Sequence, residues 1–166
     1  PVNALQKWDE LGRLGRVVGI GGNDAHGKVG WAGLKLDPYT MTLSLVQNHV
    51  LAENLTEAAI LEGIRAGRTY VVFGRRGVPK GFAFWVQDQQ GTQTWIMGEE
   101  LEFQEGLFIE VRLPRGGVGE LIKDGELLET LTGISESYLV TEPGIYRVEV
   151  TRDGKPWVYS NPVYIR

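Results

Sequence analysis

The chain has 166 residues, 42% of them hydrophobic, enough for a core in one domain or two small ones. It carries 23 Gly, two His and no Cys, so disulfides, thiol nucleophiles, Cys-ligated zinc and iron–sulfur clusters are excluded, and a metal site confined to this chain would be poor in His. A formal charge of −4 argues against a nucleic-acid or anionic-membrane partner, and no apolar run reaches the ~18 residues of a membrane span.

In chain order, Leu5, Trp8, Leu11 and Leu14 recur every three residues, which predicts an opening helix that stops at Gly15. Arg16-Val17-Val18-Gly19-Ile20 reads as a short buried strand of parallel type. A glycine-rich loop covers residues 21–33, Asp37-Pro38 marks a turn, and residues 43–51 read as β. Residues 55–66 form the best helix pattern, with Asn54 or Thr56 as cap, a buried stripe of Ala58, Leu61 and Ile64, and Gly67 as its end. Thr69-Tyr70-Val71-Val72-Phe73 is a further buried strand, so residues 1–74 follow a βα-type order. Residues 75–81, with Arg75, Arg76, Lys80, Pro79 and two Gly, read as a linker.

From residue 82 to 166 the pattern is strands and turns only. Phe82, Phe84 and Val86 share one strand face, and Leu107, Ile109, Val111 and Leu113 share another. Asp124-Gly125 between residues 118–123 and 126–131 is the strongest hairpin signal; Pro143-Gly144 and Asp153-Gly154 mark further turns. Roughly seven or eight short strands in such a length predict an antiparallel β-sandwich. Glu142-Pro143-Gly144-Ile145-Tyr146-Arg147-Val148 has the spacing of the tyrosine corner of immunoglobulin-like folds, with Val148 where a Cys often stands.

The chemically loaded stretch is Gly19-Ile20-Gly21-Gly22-Asn23-Asp24-Ala25-His26-Gly27-Lys28-Val29. Gly22 to Lys28 fits a phosphate loop, but Val29 replaces the Ser or Thr that would ligate Mg²⁺ and no helical pattern follows. A dinucleotide fingerprint fails because Asp24 stands where its third Gly belongs. Asp24 and His26 are two apart, so at the end of an extended strand both side chains reach one face, and a carboxylate with an imidazole suits zinc, manganese or iron. The same residues also fit an Asx turn with a surface histidine, and on the residues alone both readings stand.

Three pieces in order, Trp8-Asp9-Glu10-Leu11 with Gly15, Gly21-Gly22-Asn23-Asp24-Ala25-His26-Gly27, and Leu55-Thr56-Glu57-Ala58-Ala59-Ile60-Leu61 running to Arg65-Ala66-Gly67-Arg68-Thr69-Tyr70-Val71, resemble the C-terminal part of PHP (polymerase and histidinol phosphatase) domains. The likeness is to the metallohydrolase branch with an appended β-sandwich, which Ile122-Lys123-Asp124-Gly125, Gly144-Ile145-Tyr146-Arg147-Val148 and Ser160-Asn161-Pro162-Val163-Tyr164-Ile165 also resemble. That family usually has Ser where Asn23 stands. The resemblance implies a distorted (β/α) barrel with a metal cluster at the C-terminal ends of its strands, where a metal-activated water attacks a phosphoester or related ester. It also implies that Asp24 and His26 are the last pair of metal ligands, and that the other ligands, an H-x-H motif, further His and a bridging Glu, lie upstream of Pro1.

The expectation is therefore an α+β chain: residues 1–74 a partial (β/α) barrel of PHP type, 75–81 a linker, and 82–166 an immunoglobulin-like β-sandwich. Function is expected to be that of a C-terminal fragment of a metal-dependent phosphoesterase, inactive alone. Its divalent metal (zinc, manganese or iron) is expected to be held in the parent protein and not tightly by this chain, with no catalytic residue assigned here. The expected partners are the missing part of its own barrel, or a second copy through exposed barrel surfaces, and neither nucleic acid nor membrane. His49 reads as structural, while Asp37 and Glu53 are conceivable extra ligands. Arg65, Arg68, Arg75, Arg76 and Lys80 could touch a phosphate, though a solvated helix end and linker is the plainer reading. The competing function is a β-sandwich interaction or carbohydrate-binding module, which would need Trp85, Trp95 or Trp157 side by side on an exposed face.

Overall fold

The computed structural model describes residues 2–24, 30–31, 34–35 and 39–166. In chain order its elements are α1 (Val2–Leu14), β1 (Gly30–Trp31), β2 (Leu34–Lys35), α2 (Tyr39–Thr42), β3 (Val46–Val50), α3 (Glu57–Arg65), β4 (Thr69–Phe73), a short 3₁₀ helix (Gly74–Arg76), β5 (Ala83–Gln87), β6 (Thr94–Ile96), β7 (Glu100–Leu101), β8 (Phe108–Arg112), β9 (Val118–Lys123), β10 (Glu126–Leu131), β11 (Ser135–Leu139), β12 (Gly144–Arg152), β13 (Lys155–Ser160) and β14 (Val163–Ile165).

Antiparallel β-sheet dominates. A four-stranded sheet runs β11-β8-β5-β6, and a larger sheet runs β10-β9-β12-β13-β4-β3, with β14 on β12 and β7 on β14. Alternation along the strands explains which faces meet. Phe84 and Val86 of β5, Ile109 and Val111 of β8, Val148 and Val150 of β12, and Val158 of β13 are all buried in one core between the sheets. Leu107 and Leu113, just outside β8, join them. The predicted hairpin is present: Asp124 (φ 52°) and Gly125 (φ 89°) turn the chain from β9 to β10. Asp153 (φ 52°) and Gly154 (φ 68°) turn β12 into β13 the same way. Two successive positive φ angles are what a tight hairpin of the right twist requires. Tyr146 is buried, and its hydroxyl donates to Glu142 O at 2.7 Å, the hydrogen bond expected of the 142–148 pattern.

The first region differs from its expectation. A partial (β/α) barrel is not seen among the described residues. Strands β3 and β4 pair antiparallel with each other, and β4 pairs antiparallel with β13, so both extend the larger sheet. Residues 16–20 belong to no strand ladder. The helix at 57–65 is capped as predicted: Ala59 N–H donates to the Thr56 hydroxyl, which in turn donates to Asn54 Oδ1 at 2.7 Å. Its expected apolar stripe is only partly covered: Ala58 is exposed and Leu61 is 41% exposed, while Ile64 is half-buried. The helix instead meets the sheet at Gly63, where a Cβ would lie 2.6 Å from Val50 Cγ1 and 3.0 Å from Leu51 O. Among the described residues no helix is long and apolar enough to cross a membrane.

On the outer face of the larger sheet lies α1. Ile145 faces Gly12, and the buried Arg147 guanidinium pairs with both Asp9 and Glu149 while lying 5.4 Å from the centre of the Trp8 ring. Arg13 reaches Asp124 O at 2.6 Å. The outward residues of β12 thus carry the helix and its inward residues carry the core.

Candidate functional site

Residues 16–24 carry the predicted Asp24 and run across the outer face of β3 and β4. Every second residue is held there, but by side chains in place of a neighbouring strand. Val17 N–H donates to Tyr164 Oη at 3.0 Å, and Trp8 Nε1 donates to Val17 O at 2.8 Å. Gly19 N–H donates to Asn161 Oδ1 at 2.7 Å, while Asn161 Nδ2 returns a bond to Gly19 O at 2.9 Å and another to Thr69 O at 2.7 Å. Gly21 exchanges the same pair of bonds with Asn48, at 2.8 and 2.9 Å. Asn23 reverses the roles, its own side chain exchanging two bonds with the Val46 backbone at 2.8 and 2.9 Å. A primary amide presents one carbonyl and one N–H₂ group, so it can stand in for a peptide unit of a missing strand.

This arrangement explains the residue types. A Cβ at Gly19 would lie 2.7 Å from the Trp8 ring, and one at Gly21 would lie 2.5 Å from Val46 and 2.7 Å from Val71. Gly19 thus leaves room for the Trp8 ring of α1, and Gly21 lets the segment lie against the sheet. Asn161 reaches Gly19 because it sits in the break between β13 and β14, which pair with successive halves of β12. It is 1% exposed, yet its amide is fully used. Tyr164 and Asn48 complete the set. Sequence reasoning assigned no role to Asn48 or Asn161, and treated Asn23 as a minor departure from Ser. In the sequence only Asn23 lies near Gly19 and Gly21, and the pairing with Asn48 and Asn161 emerges only in the fold. A Ser at position 23 would have a single oxygen to serve both Val46 groups, where Asn divides them between its carbonyl and its N–H₂.

The segment delivers Asp24 next to the Val46 end of β3, exposed and at φ 50°, in the left-handed region that Asp tolerates better than most residues. His26 and Asp37 lie outside the described residues. Glu53 is exposed beyond the far end of β3, about 13 Å or more away by strand rise. His49 is separate from Asp24: it neighbours Asn48 and so faces the opposite side of β3. There its ring lies 5.1 Å from Tyr70, and partial burial lowers its pKa from the ordinary value. Among the described residues no three His, Cys, Asp or Glu side chains converge as a metal site would require. A catalytic metal takes about three protein ligands, so the described residues do not themselves fit one.

Among the described residues, Trp85, Trp95 and Trp157 do not form a platform. Trp157 is 2% exposed and donates to Gly77 O. Trp85 pairs with Ile96, and Trp95 with Val86, so Trp85 and Trp95 point to opposite faces of the smaller sheet. Trp95 packs against the core, while Trp85 lies beneath Arg112 at 5.6 Å. The chain matches no family model, no curated protein and no solved structure.

Proposed function

We propose that this chain is the C-terminal part of a PHP-type metal-dependent phosphoesterase, contributing Asp24 and His26 to a metal cluster completed by the preceding part of the same protein. The observation that carries this reading is the side-chain-clamped segment 16–24. It is fixed at Val17, Gly19, Gly21 and Asn23, and it ends in an exposed carboxylate two residues before His26. Such clamping is what a ligand-bearing loop needs, because metal geometry tolerates little positional error. When bound, zinc, manganese or iron would supply an activated water for ester hydrolysis. The chain's own contribution is to hold the Asp24 carboxylate at the end of the clamped segment and to supply the His26 imidazole two residues on.

Exposed apolar side chains on the first region support a covering partner. Leu14, Ile20, Leu43 and Leu55 are 86%, 66%, 60% and 93% exposed. The partner proposed is the preceding part of the barrel, with a second copy taking its place in the isolated chain. The sugar-binding alternative lacks the exposed aromatic pair it needs among the described residues.

The test is metal analysis and turnover after chelator stripping and reconstitution with zinc, manganese or iron. The expected result is less than one equivalent of metal retained by this chain and no hydrolysis of p-nitrophenyl phosphate. Tight retention of two or three equivalents with turnover by this chain alone would overturn the reading of it as an incomplete part.

A further inference from the structure

At one end of the larger sheet, four cations from two distant parts of the sequence meet around a single cleft. The 3₁₀ helix after β4 brings Arg75 and Arg76, and the β12–β13 hairpin brings Arg152 and Lys155. Together with Asp153 they line an open cleft of about 780 Å³. Four cations against one carboxylate leave a local charge of +3 on a chain whose formal charge is −4. Among the described residues the ion pairs involve Lys7, Arg68, Lys123, Arg147 and Arg166, and none of these four.

Two of the four are held in place. Arg76 Nε donates to Arg152 O at 3.3 Å, and Arg152 Nη1 donates to Arg76 O at 3.0 Å. The reciprocal bonds hold two like-charged guanidinium groups side by side. Arg152 is also stacked 4.9 Å over the ring of the buried Trp157, whose indole N–H is itself bonded to Gly77 O. The terminal nitrogens of Arg76 remain available, as do Nε and Nη2 of Arg152. Arg75 and Lys155 are exposed at the rim.

We infer that this cleft binds a small anion carrying more than one phosphate group. Guanidinium groups match phosphate oxygens in paired hydrogen bonds, and those of Arg76 and Arg152 are set in place before the ligand arrives, which lowers the ordering cost of binding. The cleft volume lies in the range of small-molecule sites and exceeds the needs of a lone phosphate. The site needs no metal, so it stands independently of the reading of Asp24 and His26.

The probe is inorganic tripolyphosphate, titrated calorimetrically into the full chain without metal at about physiological salt. Saturable binding with one site is expected, weaker for orthophosphate. The double variant Arg75→Gln, Lys155→Gln removes rim charges that make no fold-holding bond, and should weaken binding about tenfold or more with an unchanged unfolding midpoint. No saturable binding, or equal binding by the double variant, would overturn the proposal. So would tighter binding of a single-stranded oligonucleotide than of tripolyphosphate at equal phosphate concentration, which would mark a nucleic-acid surface instead.

Discussion

At Tyr146 a single hydroxyl closes the turn before β12. It donates to Glu142 O while the ring is buried in the core, so the side chain both packs and fastens the backbone. Burial, with the nearby Glu142 carboxylate as a smaller cause, pushes its pKa well above the ordinary tyrosine value. Because the folded-state pKa is raised, the protonated form's contribution to stability is whole below about pH 10 and is lost as the pH climbs above it. Tyr146→Phe should cost about 1 kcal/mol at pH 7, the net value of one hydrogen bond, and should make the alkaline loss of stability shallower. Urea unfolding at pH 7 and at about pH 11 checks both parts. Asn161, Asn48 and Asn23 show the same economy at the residue scale, each replacing a peptide group of a strand that is not there.

Among the elements, α1 depends on one buried charge group. Arg147 is nearly inaccessible, at 5% side-chain exposure, and is neutralised by Asp9 from the helix and Glu149 from its own strand. Asp9→Ala would leave Glu149 as the remaining counterion and remove the helix's charged anchor. The expected cost is about 1–3 kcal/mol, below that of stripping a buried charge bare, because Glu149 stays. Hydrogen exchange should show amides of Val2–Leu14 losing protection while those of β8 and β12 keep theirs. The elements also show what the sequence made legible. The hairpins at Asp124-Gly125 and Asp153-Gly154, the faces of β5 and β8, and the Thr56 cap follow from local rules, and each is present as read. Residues 16–20 looked like a strand because they are apolar. They lack a ladder because their partners are side chains, the Tyr164 hydroxyl at Val17 and the Asn161 amide at Gly19, a long-range fact that periodicity does not carry. The stripe on α3 was legible as apolar, but among the described residues it is only partly covered. The cationic cleft was hidden for the same reason: Arg75 and Arg76 alone look like a solvated linker until Arg152 and Lys155 are brought beside them.

For the whole molecule, the larger sheet joins the two regions. Strand β4 lies between β13 and β3, so residues before the expected linker share a sheet with the sandwich strands, and Val72 belongs to the common core. The 3₁₀ helix and Gly77 that follow are tied to that body through Arg152 and Trp157. Segment 16–24 rests on this sheet, so the placement of Asp24 is inherited from the sandwich. At the same end of the sheet, Asn23 fixes Val46, Val46 pairs with Phe73, and Phe73 leads into Arg75 and Arg76. Asp24 and the cationic cleft therefore stand at one end of one sheet, an arrangement that suits chemistry on phosphate-bearing molecules. The central claim is that Asp24 and His26 are metal ligands. The chain has two histidines, so zinc titration of the ¹³C-labelled chain, followed through the imidazole Cε1–H signals, reads each directly. The His26 signal should shift on adding zinc, the His49 signal should stay in place, and Asp24→Asn should weaken the His26 response about tenfold. A His26 signal indifferent to zinc, or an Asp24→Asn titration identical to that of the unchanged chain, would contradict the account.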